Sequence, residues 1–67
     1  MNLLAYLKAG YVPILFCRRD VALEVVARKL ESEVRFNEEA IEVDIGDDFW
    51  VPSKYYYEGD CLFKKEA

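Results

Sequence analysis

The segment VRFNEEAIEVDIGDDFW, residues 34–50, decides the fold class because apolar and acidic side chains alternate over its residues 41–45. This period of two is typical of a strand with one buried and one solvated face. The alternating apolar residues are Ile41, Val43 and Ile45. Gly46 and Asp47 are predicted to form the following hairpin turn. Asn37 is also a good helix cap, so a helix over residues 38–44 is the alternative.

Further short strands are predicted on both sides of this segment. The predicted strands of this C-terminal part lie at residues 34–36, 41–45, 49–51, 55–57 and 61–64. Turns are predicted at Pro52-Ser53 and over residues 58–60. The apolar run YVPILFC, residues 11–17, has the length of one more strand. Its continuous apolar character predicts that both faces are covered, and Pro13 favours a sheet edge or a bulge.

Two helices are predicted before and between these strands. The main helix covers residues 21–33 and follows Asp20, whose carboxylate can accept hydrogen bonds from first-turn amides. At helical spacing its core stripe contains Leu23, Val26, Ala27, Leu30 and, if the helix continues, Val34. A short first helix over residues 3–9 is predicted, capped by Asn2 and ended by Gly10.

The predicted architecture is therefore a single α+β domain spanning residues 1–67. It consists of a short N-terminal helix, a strand, one main helix, and an antiparallel β-meander of three to five strands packed on the helix. A chain of 67 residues with 54% hydrophobic residues can build one small core.

The net charge of -4 hides an uneven distribution. Residues 31–48 contain eight acidic residues against one basic residue, Arg35, whereas residues 1–30 carry a net positive charge. Such a concentrated acidic segment steers a basic partner towards it and disfavours the phosphate backbone of a nucleic acid. A solvated, solubilising face is the plain structural interpretation of the same residues.

The main functional hypothesis is a small binding module or inhibitor with no catalytic residues. The carboxylates within residues 38–48 would form an acidic ridge. This ridge would bind a basic surface of a larger protein by presenting carboxylates where nucleic-acid phosphates lie. A phage antagonist of a host defence nuclease is one example. The predicted partner-binding residues are Glu38, Glu39, Glu42, Asp44, Asp47, Asp48, Trp50 and Tyr56. The aromatic residues are included because exposed Trp and Tyr side chains are common binding anchors.

Two alternative functions remain. Val21 and Val25 lie opposite the predicted core stripe, so the chain could be a homodimeric structural or regulatory module, joined there or at an exposed strand edge. The tyrosines near Lys54 and Lys64, with Arg18, could instead bind a single-stranded nucleic acid by stacking.

An enzyme is not expected, because the chain contains no histidine to activate a serine or cysteine nucleophile. No cofactor or metal site is predicted, since Cys17 and Cys61 alone cannot complete a zinc shell. We expect both to be reduced thiols in a cytoplasmic protein, although a disulfide between them is possible if their strands are adjacent. The apolar residues 3–17 fall short of the ~20 needed to span a membrane.

Overall fold

All five strands form one antiparallel sheet in the order β1-β5-β4-β3-β2. The computed structural model describes residues 3–66, except for the side chains of Leu3, Leu4 and Tyr6, so the predicted cap Asn2 lies outside the described residues. The elements are α1 (Leu3–Lys8), β1 (Tyr11–Phe16), α2 (Arg19–Leu30), β2 (Val34–Asn37), β3 (Ala40–Asp44), β4 (Trp50–Glu58) and β5 (Cys61–Lys65). The predicted α+β class with an antiparallel β-meander is confirmed.

Residues 38–44 form part of a hairpin, so the helix considered there is wrong. Asn37 pairs with Ala40, and Glu38 in the two-residue loop has a φ of 56°. The alternation then places Ile41, which is fully buried, in the core. Ile45 does not continue this pattern: it lies beyond the end of β3 and is 64% exposed, because the chain already turns there.

The turn predicted at Pro52-Ser53 is also wrong, because β4 continues through it as one bulged strand. The register between β3 and β4 shifts at this point and leaves Ser53 and Lys54 without a paired residue on β3. Lys54 accommodates the bulge with a φ of 73°. The Ser53 hydroxyl donates to the Ile41 carbonyl and accepts a hydrogen bond from the Tyr55 amide, so it replaces the missing ladder contacts.

β1 is an exposed edge strand, which contradicts the expectation that both of its faces are covered. Five of its six residues are exposed, and Phe16 reaches 68%. The physical reason is its place in the sheet: β1 has β5 as a neighbour on one side, while α2 lies against β2 and β4. The role predicted for Pro13 is confirmed, since the strand is at an edge and its register shifts between Pro13 and Leu15.

α2 begins and ends earlier than the predicted range of residues 21–33. Arg18 is the N-cap residue and makes no side-chain capping bond, so the capping role predicted for Asp20 is wrong. Asp20 lies inside the first turn, where its negative charge still interacts favourably with the positive end of the helix dipole. The helix ends because Glu31 adopts the left-handed conformation, with φ 51° and ψ 43°.

A buried cluster joins α2 to three strands of the sheet. Its members are Ala22, Val26, Ile41, Tyr55, Tyr57 and Leu62. Val26 is the fully buried member of the predicted stripe, whereas Leu23 and Leu30 pack against this cluster but stay half-buried. Ala22, which is fully buried, was not part of the predicted stripe. Val25 also packs against the cluster, because Ala22 and Val26 bring that flank of α2 close to the sheet.

The opposite face of the sheet carries a second, smaller cluster, in which Cys61 and Phe63 are buried and Tyr11 and Tyr56 pack against them. The rings of Tyr11 and Tyr56 meet edge to face with centroids 4.7 Å apart. Cys17 packs against the first cluster instead. Both cysteines are free thiols, and a disulfide between them is not formed.

A hydrogen bond from Tyr57 fixes the connection between β1 and α2. Its hydroxyl donates to the Cys17 carbonyl at 2.7 Å, and the Asp60 carboxylate lies 3.3 Å from the same oxygen. Burial, followed by the charge of Asp60, raises the pKa of Tyr57 above its ordinary value of 10.0. The hydroxyl therefore stays protonated and remains a donor at neutral pH.

Candidate protein-binding surface

Three of the predicted carboxylates lie on the turn between β3 and β4, here called the acidic turn (residues 44–49). Asp44 Oδ1 accepts a hydrogen bond of 2.8 Å from the Gly46 amide. Gly46, Asp47 and Asp48 all have positive φ, at 132°, 52° and 58°. Glycine adopts this conformation without steric cost and aspartate tolerates it, which explains why the sequence turns here. The turn presents the carboxylates of Asp47 and Asp48 to solvent.

Two large apolar side chains flank these carboxylates. Ile45 is 64% exposed and Phe49 is 62% exposed. They are joined through the backbone, because the Ile45 amide donates to the Phe49 carbonyl at 3.0 Å. Sequence reasoning missed both as surface residues, since it placed Ile45 on the buried face of a strand and counted Phe49 as part of the next one. The tight turn at Gly46-Asp47-Asp48 could have indicated that both side chains lie at the surface, because they stand directly on either side of it.

Glu42 is held in a cross-strand network with Arg35 and Asn37. Arg35 Nε donates to Glu42 Oε1 at 2.9 Å, and Asn37 lies 3.4 Å from the other carboxylate oxygen. The Glu42 side chain is 17% exposed. The Arg35 guanidinium also lies over the Trp50 ring, 4.3 Å from its centroid. Arg35 thus neutralises the centre of the predicted ridge and partly covers one of its aromatic anchors.

The remaining predicted carboxylates, Glu38 and Glu39, are exposed at the opposite end of the sheet. They form the loop between β2 and β3, whereas the acidic turn joins β3 to β4. The five residues of β3 separate the two ends by roughly 17 Å. The structure therefore divides the predicted ridge into two acidic ends with the Arg35–Glu42 pair between them.

The aromatic residues do not gather into one surface. Tyr56 lies in the second cluster, far along β4 from Trp50. Tyr55 and Tyr57 are buried, so their rings are not available to stack on bases. Val21 is half-buried, like Val25, on the helix.

A groove of about 390 Å³ runs along α2 beside the edge strand β2. It is lined by Asp20, Leu23, Glu24, Ala27, Glu33, Val34 and Trp50. Its floor is apolar and aromatic, and three carboxylates stand around it. The sequence did not indicate this groove, because helical periodicity assigned Leu23 and Ala27 to the core.

The pKa values of both cysteine thiols are raised, which disfavours the thiolate form. Burial, with the charges of Asp20 and Asp60, raises the pKa of the Cys17 thiol, and burial raises that of Cys61. Neither thiol is activated as a thiolate. Within residues 3–66 there is no group of three or more side chains placed to hold a metal ion, and no helix is long and apolar enough to cross a membrane.

Comparison with known protein families, with curated proteins and with solved structures identifies no match to this chain. Two features of the described surface are candidates for binding: the acidic turn with its two exposed apolar side chains, and the groove between α2 and the sheet edge.

Proposed function

We propose that this chain is a small, non-catalytic protein-binding module that docks its acidic turn onto a basic surface of a larger protein. The observation that supports it best is the combination of Asp47 and Asp48 with exposed Ile45 and Phe49. Interfaces commonly place an apolar anchor at the centre and polar groups around it. The carboxylates would steer the partner and orient it, while the apolar side chains would supply most of the affinity.

A basic, nucleic-acid-binding surface is the class of partner that suits these carboxylates. They would occupy positions where phosphate groups otherwise lie, and an inhibitor of a host nuclease encoded by a phage is one form of this proposal. The proposal includes a cytoplasmic location, which the two free thiols favour because reducing compartments keep thiols reduced.

The variant Asp47→Asn/Asp48→Asn tests this proposal, because asparagine keeps the left-handed backbone while both charges are removed. We expect capture of the partner by the tagged chain to weaken about tenfold, and capture by the unmodified chain to fall as salt is raised. The matched control, Glu31→Gln/Glu66→Gln, removes two exposed charges elsewhere and should leave capture unchanged. Equal losses in both variants, or capture that is insensitive to salt, would contradict a role for the acidic turn.

A homodimer is the second candidate function, and the exposed side chains of β1 favour it. Val12, Ile14 and Leu15 are each about 40% exposed and lie beside Phe16. A mass of twice 7.8 kDa by light scattering would support this candidate, and a monomer at every concentration would reject it.

A further inference from the structure

β2 is the last strand of the sheet, and among residues 3–66 no backbone group pairs with its outer edge. The Glu33 carbonyl accepts a hydrogen bond of 3.0 Å from the Asp44 amide. Hydrogen-bonded and non-hydrogen-bonded pairs alternate along an antiparallel ladder. Val34 and Phe36 therefore direct their N–H and C=O groups away from β3, towards the free edge.

The other sheet edge, β1, is protected against the addition of a strand. The Gly10 carbonyl accepts a hydrogen bond from the Glu66 amide, and the same alternation directs the Pro13 nitrogen outwards. That nitrogen has no hydrogen to donate, and the bulge after Pro13 distorts the edge further. Proline and bulges are common protections of sheet edges. β2 has neither, since its four residues pair with β3 without a register shift.

The groove beside α2 borders this free edge. The side chains of Val34 and Phe36 pack towards the cluster under α2, so alternate side chains of an added strand would point to the same side. There they would lie over Leu23 and Ala27 in the groove. The Arg19 guanidinium covers the Phe36 ring at 3.8 Å, which leaves the part nearer Val34 open.

The charges around the groove select the chemistry of the added segment. Asp20, Glu24 and Glu33 line it. Glu24 is paired with Arg28 at 2.7 Å and Asp20 with Arg18 at 4.0 Å, but all four side chains are more than 60% exposed. Exposed pairs of this kind are worth about 1 kcal/mol or less, so both carboxylates remain open to an incoming cation. A segment whose groove-facing positions, every second residue, carry both basic and apolar side chains matches the rim and the floor.

We propose that β2 accepts an extended, basic segment of a partner protein as a sixth strand, with alternate side chains in the groove beside α2. This inference rests on the proposed function and names the way in which part of the partner is bound. Main-chain hydrogen bonds at Val34 and Phe36 would hold the segment, and the groove would select its side chains.

The probe is the acetylated and amidated heptapeptide Arg-Ser-Val-Ser-Val-Ser-Arg, whose arginine and valine side chains all point to one side when it is extended. Binding is expected to change the fluorescence of Trp50, the single tryptophan, and to shift the amide resonances of Val34 and Phe36. The same peptide with glutamate in place of both arginines should not bind. The arginine peptide N-methylated at those alternate amides that would face β2 should bind about tenfold more weakly, because it cannot complete the ladder. Equal binding of the methylated peptide, or no binding of its parent, would overturn the proposal.

Two protein variants distinguish the contribution of the Val34 backbone to peptide binding from that of its side chain. Val34→Pro removes the outward N–H, as Pro13 does in β1, and should weaken peptide binding about tenfold. Val34→Ala keeps that N–H and should weaken binding by about threefold or less. Equal affinities of the Val34→Pro variant and the unmodified chain for the peptide would contradict binding at the β2 edge. If Val34→Pro fails to fold by circular dichroism, the methylated peptide decides the question.

These results are distinguishable from a failure of the proposed function. If peptides do not bind β2 but partner capture still depends on Asp47 and Asp48, the strand addition is wrong and the proposed function stands. If peptides bind β2 but partner capture does not depend on Asp47 and Asp48, the strand addition stands and the proposed role of the acidic turn is wrong. A dimer that Val34→Pro abolishes would assign the edge to a second copy and overturn the proposal of a different partner.

Discussion

Phe63→Ala is expected to destabilise the protein by about 3–5 kcal/mol, the range for removing a buried aromatic side chain. Phe63 is 2% exposed and lies on β5, which pairs with β1 on one side and β4 on the other. It pairs with Tyr56 on β4 and with Pro13 on β1, so its ring supports both neighbours. A domain of this length has a total stability of roughly 3–10 kcal/mol. The Phe63→Ala variant should therefore be marginally stable or largely unfolded at room temperature.

Phe16→Ala is the matched control, because it deletes the same atoms from a side chain that is 68% exposed. Its effect should stay within about 0.5 kcal/mol, as is usual for exposed positions. Urea unfolding followed by circular dichroism measures both variants. Similar losses of unfolding free energy in Phe16→Ala and Phe63→Ala would mean that the second cluster is not a core.

Glu42→Lys is expected to destabilise the fold by about 1.5–3 kcal/mol, the range for a lost hydrogen bond to a charged group. The new lysine would lie opposite Arg35 on the neighbouring strand, where like charges repel. The carboxylate it replaces is 17% exposed and accepts a hydrogen bond from Arg35 at 2.9 Å.

The exchange Arg35→Glu/Glu42→Arg should recover part of this loss, since it restores opposite charges across the two strands. The recovery is incomplete because the Arg35 guanidinium no longer covers Trp50. Glu39→Lys, at the exposed loop, is the control and should change stability by about 0.5 kcal/mol or less. Thermal unfolding compares the three variants. An unchanged melting temperature for Glu42→Lys would show that this pair is not structural.

The sequence predicted those features that depend on local alternation. The period of two identified β3, and the same rule accounts for Tyr55 and Tyr57 lying on the sheet face opposite to Tyr56. Both features depend on neighbours along the chain, because successive side chains of a strand point to opposite faces.

Features that depend on distant residues were not predictable in the same way. β1 is apolar throughout, and its exposure follows from its place at the sheet edge. Pro52 and Ser53 are typical of a turn, but here the Ser53 hydroxyl bonds to Ile41 on another strand and forms a bulge. Charge counting could not show that Glu42 is paired with Arg35, which turns a continuous ridge into two acidic ends.

The groove was missed for a related reason. The hydrophobic stripe of α2 is wider than the surface it buries, so Leu23 and Ala27 could belong to the core or to an open flank. Ala22 and Val26 settle this, because their burial fixes the rotation of the helix on the sheet.

Photo-cross-linking from position 49 tests the central claim most directly. A photoreactive phenylalanine at Phe49 would stand in the acidic turn, and the same group at Phe16 would stand on β1 with similar exposure, 62% against 68%. We predict a cross-link to a partner protein from position 49 that unmodified chain competes away and that high salt prevents, with none from position 16. A competable cross-link from position 16, with none from position 49, would contradict binding through the acidic turn.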